Sequence, residues 1–462
     1  MKPPQSLWWS TLDRPVVARA ALQRHVDVDV AIVGGGFTGL WTARELKRRD
    51  PTLRIAVLEK SVCGFGASGR NGGWASALFP ISNRSIVEQY GVDVFNQQRR
   101  VLQQAVLNLG SSMHEDGIDA HYVRAGTLDF ARSPVQATRL KATVEASHLI
   151  GMSAGDLEWL EGDALSEHGV VHGALGATFS PHCARIHPAR LVRGLSDVAE
   201  RLGVMIYENT AAMRIMPRRA RHDPEVITVG GSVHATYVVR ATEAFTATLP
   251  GERRTVAPIY SLMIATEPLP TSFWNEVGFA QSETFADDRH LIIYGQRTHD
   301  GRIAFGGRGS PYHFGSTIEG RFDSHPVVFE KLEFTLRELF PSIQGSITHK
   351  WGGPLAMPRD HWPSAYVDVE TGLASAGGYT GDGVTLSHVA ATALADLITR
   401  PDVETEFTRL PFVHHRSKQW EFEPLRWLGI NAGLALAHRA DQSELRRGRE
   451  SWASHLLDRL LR

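Results

Sequence analysis

The most constraining stretch of this chain is an apolar run that leads directly into three spaced glycines. Residues 28–39 read Val-Asp-Val-Ala-Ile-Val-Gly-Gly-Gly-Phe-Thr-Gly, which sets Gly34-x-Gly36-x-x-Gly39 at the end of a strand. The amphipathic segment Leu40 to Arg49 follows, and a second apolar run, Arg54-Ile-Ala-Val-Leu-Glu59, ends in an acid 20 residues beyond Gly39. Strand, glycine turn, helix, strand and acid in this register predict a parallel βαβ unit built around a dinucleotide. Gly34 permits the tight turn, Gly36 lets the backbone approach a pyrophosphate, and Gly39 lets the helix pack close to the strand. The helix N-terminus, at Phe37 and Thr38, offers N–H groups and a positive dipole end to the anion. Glu59 suits the two hydroxyls of an adenosine ribose and repels a 2′-phosphate.

Composition narrows the class. At 462 residues the chain exceeds one ordinary domain, and two or three units are expected. No run approaches the roughly 18 apolar residues of a membrane span. The start, Met-Lys-Pro-Pro-Gln-Ser-Leu-Trp-Trp-Ser, lacks the apolar core and cleavage site of a signal peptide. A net charge of −1 argues against nucleic acid as a partner. Cys63 and Cys183 are the two cysteines; they could pair, but they read better as reduced thiols of a cytoplasmic protein.

Periodicity orders the rest. Helices are expected at 85–117, 134–150, 189–202, 326–340 and 384–399, with a mostly helical tail from Pro411. Strands are expected as a pair within 120–131, at 204–207, within 225–247, and at 259–266, 291–294 and 302–305. A second glycine-rich turn, Gly377-Gly-Tyr-Thr-Gly-Asp-Gly383, opens the helix at Val384. The predicted fold is α/β: a discontinuous Rossmann-type domain (15–85, 175–250 and 345–400) carries an inserted α+β substrate domain with an antiparallel sheet (86–174 and 251–344). A helical extension (401–462) follows.

The loop after the acid, Cys63-Gly-Phe-Gly-Ala-Ser-Gly-Arg-Asn-Gly-Gly73, is crowded with small residues and carries one cation, Arg70. Two further glycine-rich cradles exceed what a nicotinamide cofactor needs and suit a long FAD. Together, Gly34–Gly39, Glu59, Gly66-Ala-Ser-Gly-Arg-Asn-Gly-Gly73 and Gly378-Tyr-Thr-Gly-Asp-Gly-Val384 resemble the FAD-dependent amine oxidoreductases of the D-amino-acid oxidase superfamily. The likeness is to the branch of γ-glutamylputrescine oxidase and glycine oxidase. Leu7-Trp-Trp, Ile186-His-Pro-Ala-Arg-Leu191, Trp351-Gly-Gly353 and the segment Phe412 to Trp427 extend it over nearly the whole chain.

The resemblance implies a residue-level site. Gly34, Gly36, Phe37, Thr38 and Gly39 would hold the pyrophosphate, and Glu59 with Lys60 the ribose and adenine. Gly66, Ala67, Ser68, Arg70, Asn71, Gly72 and Gly73 would run beside the phosphates toward the isoalloxazine. Gly378, Tyr379, Gly381, Gly383, Val384 and Thr385 would set N–H groups and a helix dipole at the N1–C2=O2 edge, favouring the anionic reduced ring. No cysteine follows Cys183 and the 66–73 loop has no histidine, so non-covalent FAD is expected. The arginine that amino-acid oxidases of the superfamily often carry just past the Trp-x-Gly is missing; the first one here is Arg359. An amine or acylated polyamine thereby gains ground over an α-amino acid.

Tyr294, Arg308 and Trp351 are the candidate substrate-side residues. Tyr294 ends an apolar strand of the inserted domain, and a sheet-surface tyrosine is an equal reading. Arg308 is flanked by glycines that clear space for a ligand. Lys350 is either a fixed cation for oxygen activation or a solvated lysine. His182, Cys183 and His187 fit no common zinc spacing. His414-His415 reads as a solvated face, Trp8, Trp9, Trp420 and Trp427 as packing anchors, and Asp382 as a helix cap facing away from the flavin. The implied reaction passes hydride from the α-carbon of an amine to flavin N5, and water hydrolyses the imine. Oxygen or another acceptor would reoxidise the flavin. A flavin dehydrogenase serving a quinone or partner protein, and a flavin protein without turnover, stay as alternatives.

Overall fold

The computed structural model describes residues 5–219, 222–307, 309–448 and 451. Two eight-stranded sheets organise them. The first runs Ser364–Asp368, Leu373–Gly377, Ser232–Arg240, Val26–Val33, Ile55–Leu58, Met205–Tyr207, with Ala212–Met216 and Glu225–Thr228 as an antiparallel flap. Val26–Val33 pairs in parallel with Ile55–Leu58 on one side and Ser232–Arg240 on the other. Its second half, Val30–Val33, is covered on both faces, which is why the sequence stops alternating there. Val30 and Ile32 enter one core, Ala31 and Val33 another. The chain leaves Val33 toward one neighbour, and the other neighbour ends at Arg240, so a crevice opens between the two carboxyl ends.

The second sheet runs Ile347–Met357, Ala257–Thr266, Ile303–Gly307, Ile293–Arg297, Thr284–Asp287, Thr127–Ala131, Gly176–Ser180, Glu158–Leu160. It is antiparallel except where Thr284–Asp287 meets Thr127–Ala131. Leu128, Phe130, Phe285 and Phe305 share a core with Phe329, Leu332 and Leu336 of the helix Pro326–Leu339. One register row crosses seven of its strands: Trp351, Met263, Gly306, Tyr294, Ala286, Asp129 and Thr178. Directly paired residues share a face, so this row lies on one side of the sheet.

Several expectations need correction. Ile347–Met357 belongs to the second sheet, because it pairs with Ala257–Thr266 along its length. Gly176–Ser180 does too, pairing with Thr127–Ala131. The first domain therefore loses the beginnings of its expected 175–250 and 345–400 segments. The helix Val92–Asp116, expected in the substrate domain, packs Phe95, Val101, Leu102 and Leu109 into the first core. The single helix expected at 85–117 is two, Asn83–Tyr90 and Val92–Asp116, parted at Gly91 with φ 86°. Within 120–131 only Thr127–Ala131 is a strand. Residues 411–424 are not helical; the tail helix is Leu425–Arg447. No helix among the described residues is long and apolar enough to cross a membrane.

Candidate active site

A cavity of about 2580 Å³ runs from the carboxyl ends of the first sheet to the inner face of the second. Its two ends differ in chemistry.

At the first end the glycine fingerprint is held by steric fit. A Cβ on Gly39 would stand 2.0 Å from the Gly34 carbonyl oxygen, and one on Gly34 (φ 114°) would stand 2.3 Å from that of Ala241. No larger residue permits this approach of helix to strand. Gly36 is the N-cap of the helix Phe37–Arg49 and offers no side chain to its amides. Ser68 Oγ accepts from the Phe37 N–H at 2.9 Å, joining the second glycine loop to the helix end. The Glu59 carboxylate accepts from the Gly35 and Ser61 N–H groups at 2.8 Å each, which fixes its orientation and leaves a lone pair on each oxygen. Burial raises the Glu59 carboxyl above its ordinary range, against those two donors.

The 66–73 loop is self-locked. Asn71 donates to the Ala67 and Ser68 carbonyls at 3.1 Å and accepts from the Gly73 N–H at 2.8 Å. Arg70 reaches away to Asp323 at 2.7 Å and to the Gly352 carbonyl at 2.9 Å, so its cation clamps the loop to the second sheet. Tyr379, Thr380, Gly381, Asp382, Gly383 and Val384 line the same cavity from the later turn. Two of the three cradles therefore meet the third in one space.

These loops are far apart in sequence, yet they enclose one elongated cleft that also holds the Glu59 carboxylate. The profile of a family described as FAD dependent oxidoreductase (DAO) matches residues 29–397. The chain belongs to that family. It is 29% identical over 84% of its length to the γ-glutamylputrescine oxidoreductase of Escherichia coli, covering 88% of that protein. It is 28% identical over 83% of its length to the glycine oxidase of Geobacillus kaustophilus, covering 96% of that protein. A crystal structure of the Geobacillus kaustophilus glycine oxidase shares the fold, with TM-score 0.71 and 24% identity over 85% of this chain and 100% of that one.

FAD is accordingly the cofactor, and the geometry sorts the expected residues of this DAO family member. Gly34, Gly36, Phe37, Thr38, Glu59, Lys60, Gly66, Ala67, Ser68, Arg70, Asn71 and Gly72 line the cavity. Gly39, Gly73, Gly378 and Thr385 stand behind its wall and shape it: a Cβ on Gly73 would meet Gln296 Nε2 at 2.1 Å. Tyr294 lines the cavity, its hydroxyl 2.8 Å from Ser261 Oγ. Its ring fills the gap between Gly72 and Gly306, where added Cβ atoms would approach within 2.6 and 2.7 Å.

Other candidates move. Trp351 is buried behind the wall, donating to the Arg70 carbonyl at 2.9 Å with its ring edge-on to Trp8. It supports the loop and does not face a ligand. Lys350 is exposed, over the Phe329 ring on the far side of the sheet, which removes it from oxygen chemistry at the cleft. Arg308 lies outside the described residues. Asp382 takes the N-cap position of Gly383–Thr399 without a side-chain cap bond, and it lines the cavity. His415, expected on a solvated face, pairs with Asp360 at 2.9 Å and lines the cavity, its ring 5.4 Å from that of Trp362. His187 caps the helix Pro188–Arg201, His182 bonds Asp156 at 3.0 Å, and both cysteines are buried and unpaired.

Sequence reasoning missed Glu243 and Asp129. Glu243 closely follows the strand Ser232–Arg240 at the switch point, where position alone could have flagged it. Burial pushes its carboxyl up to about 7, although the Gly378, Tyr379 and Ala356 amides oppose that shift. Asp129 is a single acid in a short strand, and only strand pairing brings it to the cleft.

Proposed function

We propose that this protein oxidises a small amine, with FAD held non-covalently across the cleft in a cytoplasmic enzyme. The observation that carries this reading is the convergence of three distant glycine cradles and Glu59 on one cavity that continues onto the Tyr294 face. Glu59 and Lys60 would take the adenosine, the Gly34–Thr38 turn and Ser68 the pyrophosphate, and the Tyr379–Val384 turn the pyrimidine edge of the ring. Bound there, FAD supplies a two-electron acceptor for the C–H bond beside an amine nitrogen. The protein's share is orientation and exclusion of water. Tyr294, wedged between two glycines and bonded to Ser261, gives a rigid wall against which the substrate carbon is aligned. Water would hydrolyse the imine, and oxygen or another acceptor would take up the electrons.

An amine is favoured over an α-amino acid because four arginines on the cavity wall are already engaged by carboxylates. Arg70, Arg289, Arg359 and Arg426 are paired with Asp323, Asp287, Glu421 and Glu423. None of the four is held in reserve for a substrate carboxylate. Neither cysteine lines the cavity, in keeping with non-covalent FAD and with reduced thiols.

The test is anaerobic titration of the yellow holoenzyme with a panel of amines and amino acids. Bleaching by amines at lower concentrations than by amino acids is expected, and failure of every amine to bleach the flavin sinks the reading. Peroxide release in air identifies the acceptor. Acid precipitation should leave the flavin in the supernatant.

A further inference from the structure

The far end of the cavity carries chemistry that oxidation of a simple amine does not use. Asp129 lies on the same register row as Tyr294, with only Ala286 between them. Two strand spacings put the two residues about 10 Å apart along the sheet face. Ala286 adds a single methyl to that face, so no large side chain of the same register row stands between Tyr294 and Asp129. Asp129 lines the cavity, yet its Oδ1 is shielded from solvent and has no hydrogen-bond partner. A shielded carboxyl oxygen without a partner is costly.

The charge around it is unbalanced in the same sense. Asp287 is held by Arg289, and Asp288 by Arg139 at 2.6 Å. From the tail helix, Asp441 accepts from the His290 and Leu291 amides, while Glu444 bonds His290 and Arg139. With Glu338 and Arg132, which sit in the field of Asp287 and Arg289, six carboxyl groups meet three arginines. Burial raises Asp129, Asp288 and Asp441 alike above the ordinary carboxyl range, Asp288 to about 6. Like charges at Asp288 and Asp287 add to the effect on Asp129. The tail helix lines the cavity with Gly429, Gly433 and Ala437, and also with Ile430 and Leu434. A Cβ on either glycine would meet nothing within 4 Å, leaving room for a ligand chain.

We infer that Asp129 forms a distal subsite for a second ammonium group, so that the preferred substrate is an unacylated diamine whose two nitrogens are separated by several methylenes. The inference rests on the amine-oxidation reading and deepens it. One nitrogen is presented beside the Tyr294 wall. The other donates to the Asp129 carboxylate, while the methylenes cross the Ala286 position.

The experiment is anaerobic flavin bleaching of the holoenzyme by 1,4-diaminobutane, butylamine and N-acetyl-1,4-diaminobutane, in wild type and in Asp129→Asn. Wild type should be half-reduced by the diamine at a concentration at least tenfold below that for either singly charged amine. In D129N the ratio should fall to near one. The wild-type ratio needs no variant, so misfolding of D129N leaves the test intact. Equal half-reduction by all three in wild type, or preference for the acetylated amine, overturns the subsite while leaving amine oxidation standing. An unchanged ratio in folded D129N also overturns it. Bleaching by none of the three, nor by any other amine, overturns the functional reading and the subsite together.

Discussion

Glu243 Oε2 accepts a 2.9 Å hydrogen bond from the Gly378 amide, tying the end of the Ser232–Arg240 strand to the late glycine turn. With its carboxyl at about 7 in the native protein against an ordinary 4.5, the folded state binds a proton that the unfolded state releases between those values. Stability from this group is therefore full below about pH 4.5 and is lost as pH rises through about 7. The change amounts to at most about 3 kcal/mol. Glu243→Gln cannot titrate. The melting temperature of wild type relative to E243Q should fall between about pH 5 and pH 8; a constant difference would show that Glu243 stays ionised throughout.

The fingerprint glycines should separate by what surrounds them. Gly39→Ala drives a methyl to 2.0 Å from a backbone carbonyl that cannot move without opening the helix–strand contact. Gly36→Ala meets the Ser68 hydroxyl at 2.8 Å, a side chain that can rotate. We expect G39A to lose several kcal/mol of stability, as overpacking against rigid backbone does. G36A should fold and melt near wild type after FAD removal but bind FAD at least tenfold more weakly, because under the proposed placement its methyl would occupy the pyrophosphate approach. Thermal melts and FAD titration of the apoproteins check both.

What the sequence disclosed follows the range of the interactions involved. The βαβ unit at 26–58 was legible because glycine spacing, helix register and the acid all lie within one local unit. The helices Pro134–Leu149, Pro188–Arg201, Pro326–Leu339 and Gly383–Thr399 were legible too, three of them opened by a proline at a first-turn position. Sheet membership was not. Ile347–Met357 looks like any glycine-containing apolar segment until its pairing with Ala257–Thr266 assigns it to the second sheet. For the same reason Trp351 was misplaced, Lys350 stayed undecided between two readings, and Asp129 went unnoticed. The engagement of Arg70 was not legible because its partner Asp323 is 253 residues away.

That ion pair gives a third prediction. The Arg70 side chain is buried and its guanidinium satisfies Asp323, whose carboxyl burial already raises. Arg70→Ala leaves a partly buried carboxyl unpaired and a void against Gly353. Removal of one partner of such a pair costs about 3–5 kcal/mol, discounted here because Asp323 keeps some solvent contact. R70A should melt well below wild type, and the double variant R70M/D323L should recover much of the loss. A double variant no more stable than R70A would mean that loop packing, not charge, holds this contact.

Tyr294 can be dissected into a hydroxyl and a ring. Tyr294→Phe removes the 2.8 Å bond to Ser261 but keeps the ring wedged between Gly72 and Gly306 and edge-on to Trp74. The loss of a hydrogen bond of this kind is worth about 1 kcal/mol, or roughly a fivefold fall in kcat/KM if the bond only positions the ring. Tyr294→Ala empties the gap and frees the loop at Gly72, so alignment against the wall is lost and a fall of at least about a hundredfold is expected. FAD content should be unchanged in Y294F. If Y294F instead falls as far as Y294A while retaining FAD, the hydroxyl itself touches the reacting amine, and Tyr294 acts in the chemistry and not only as a wall.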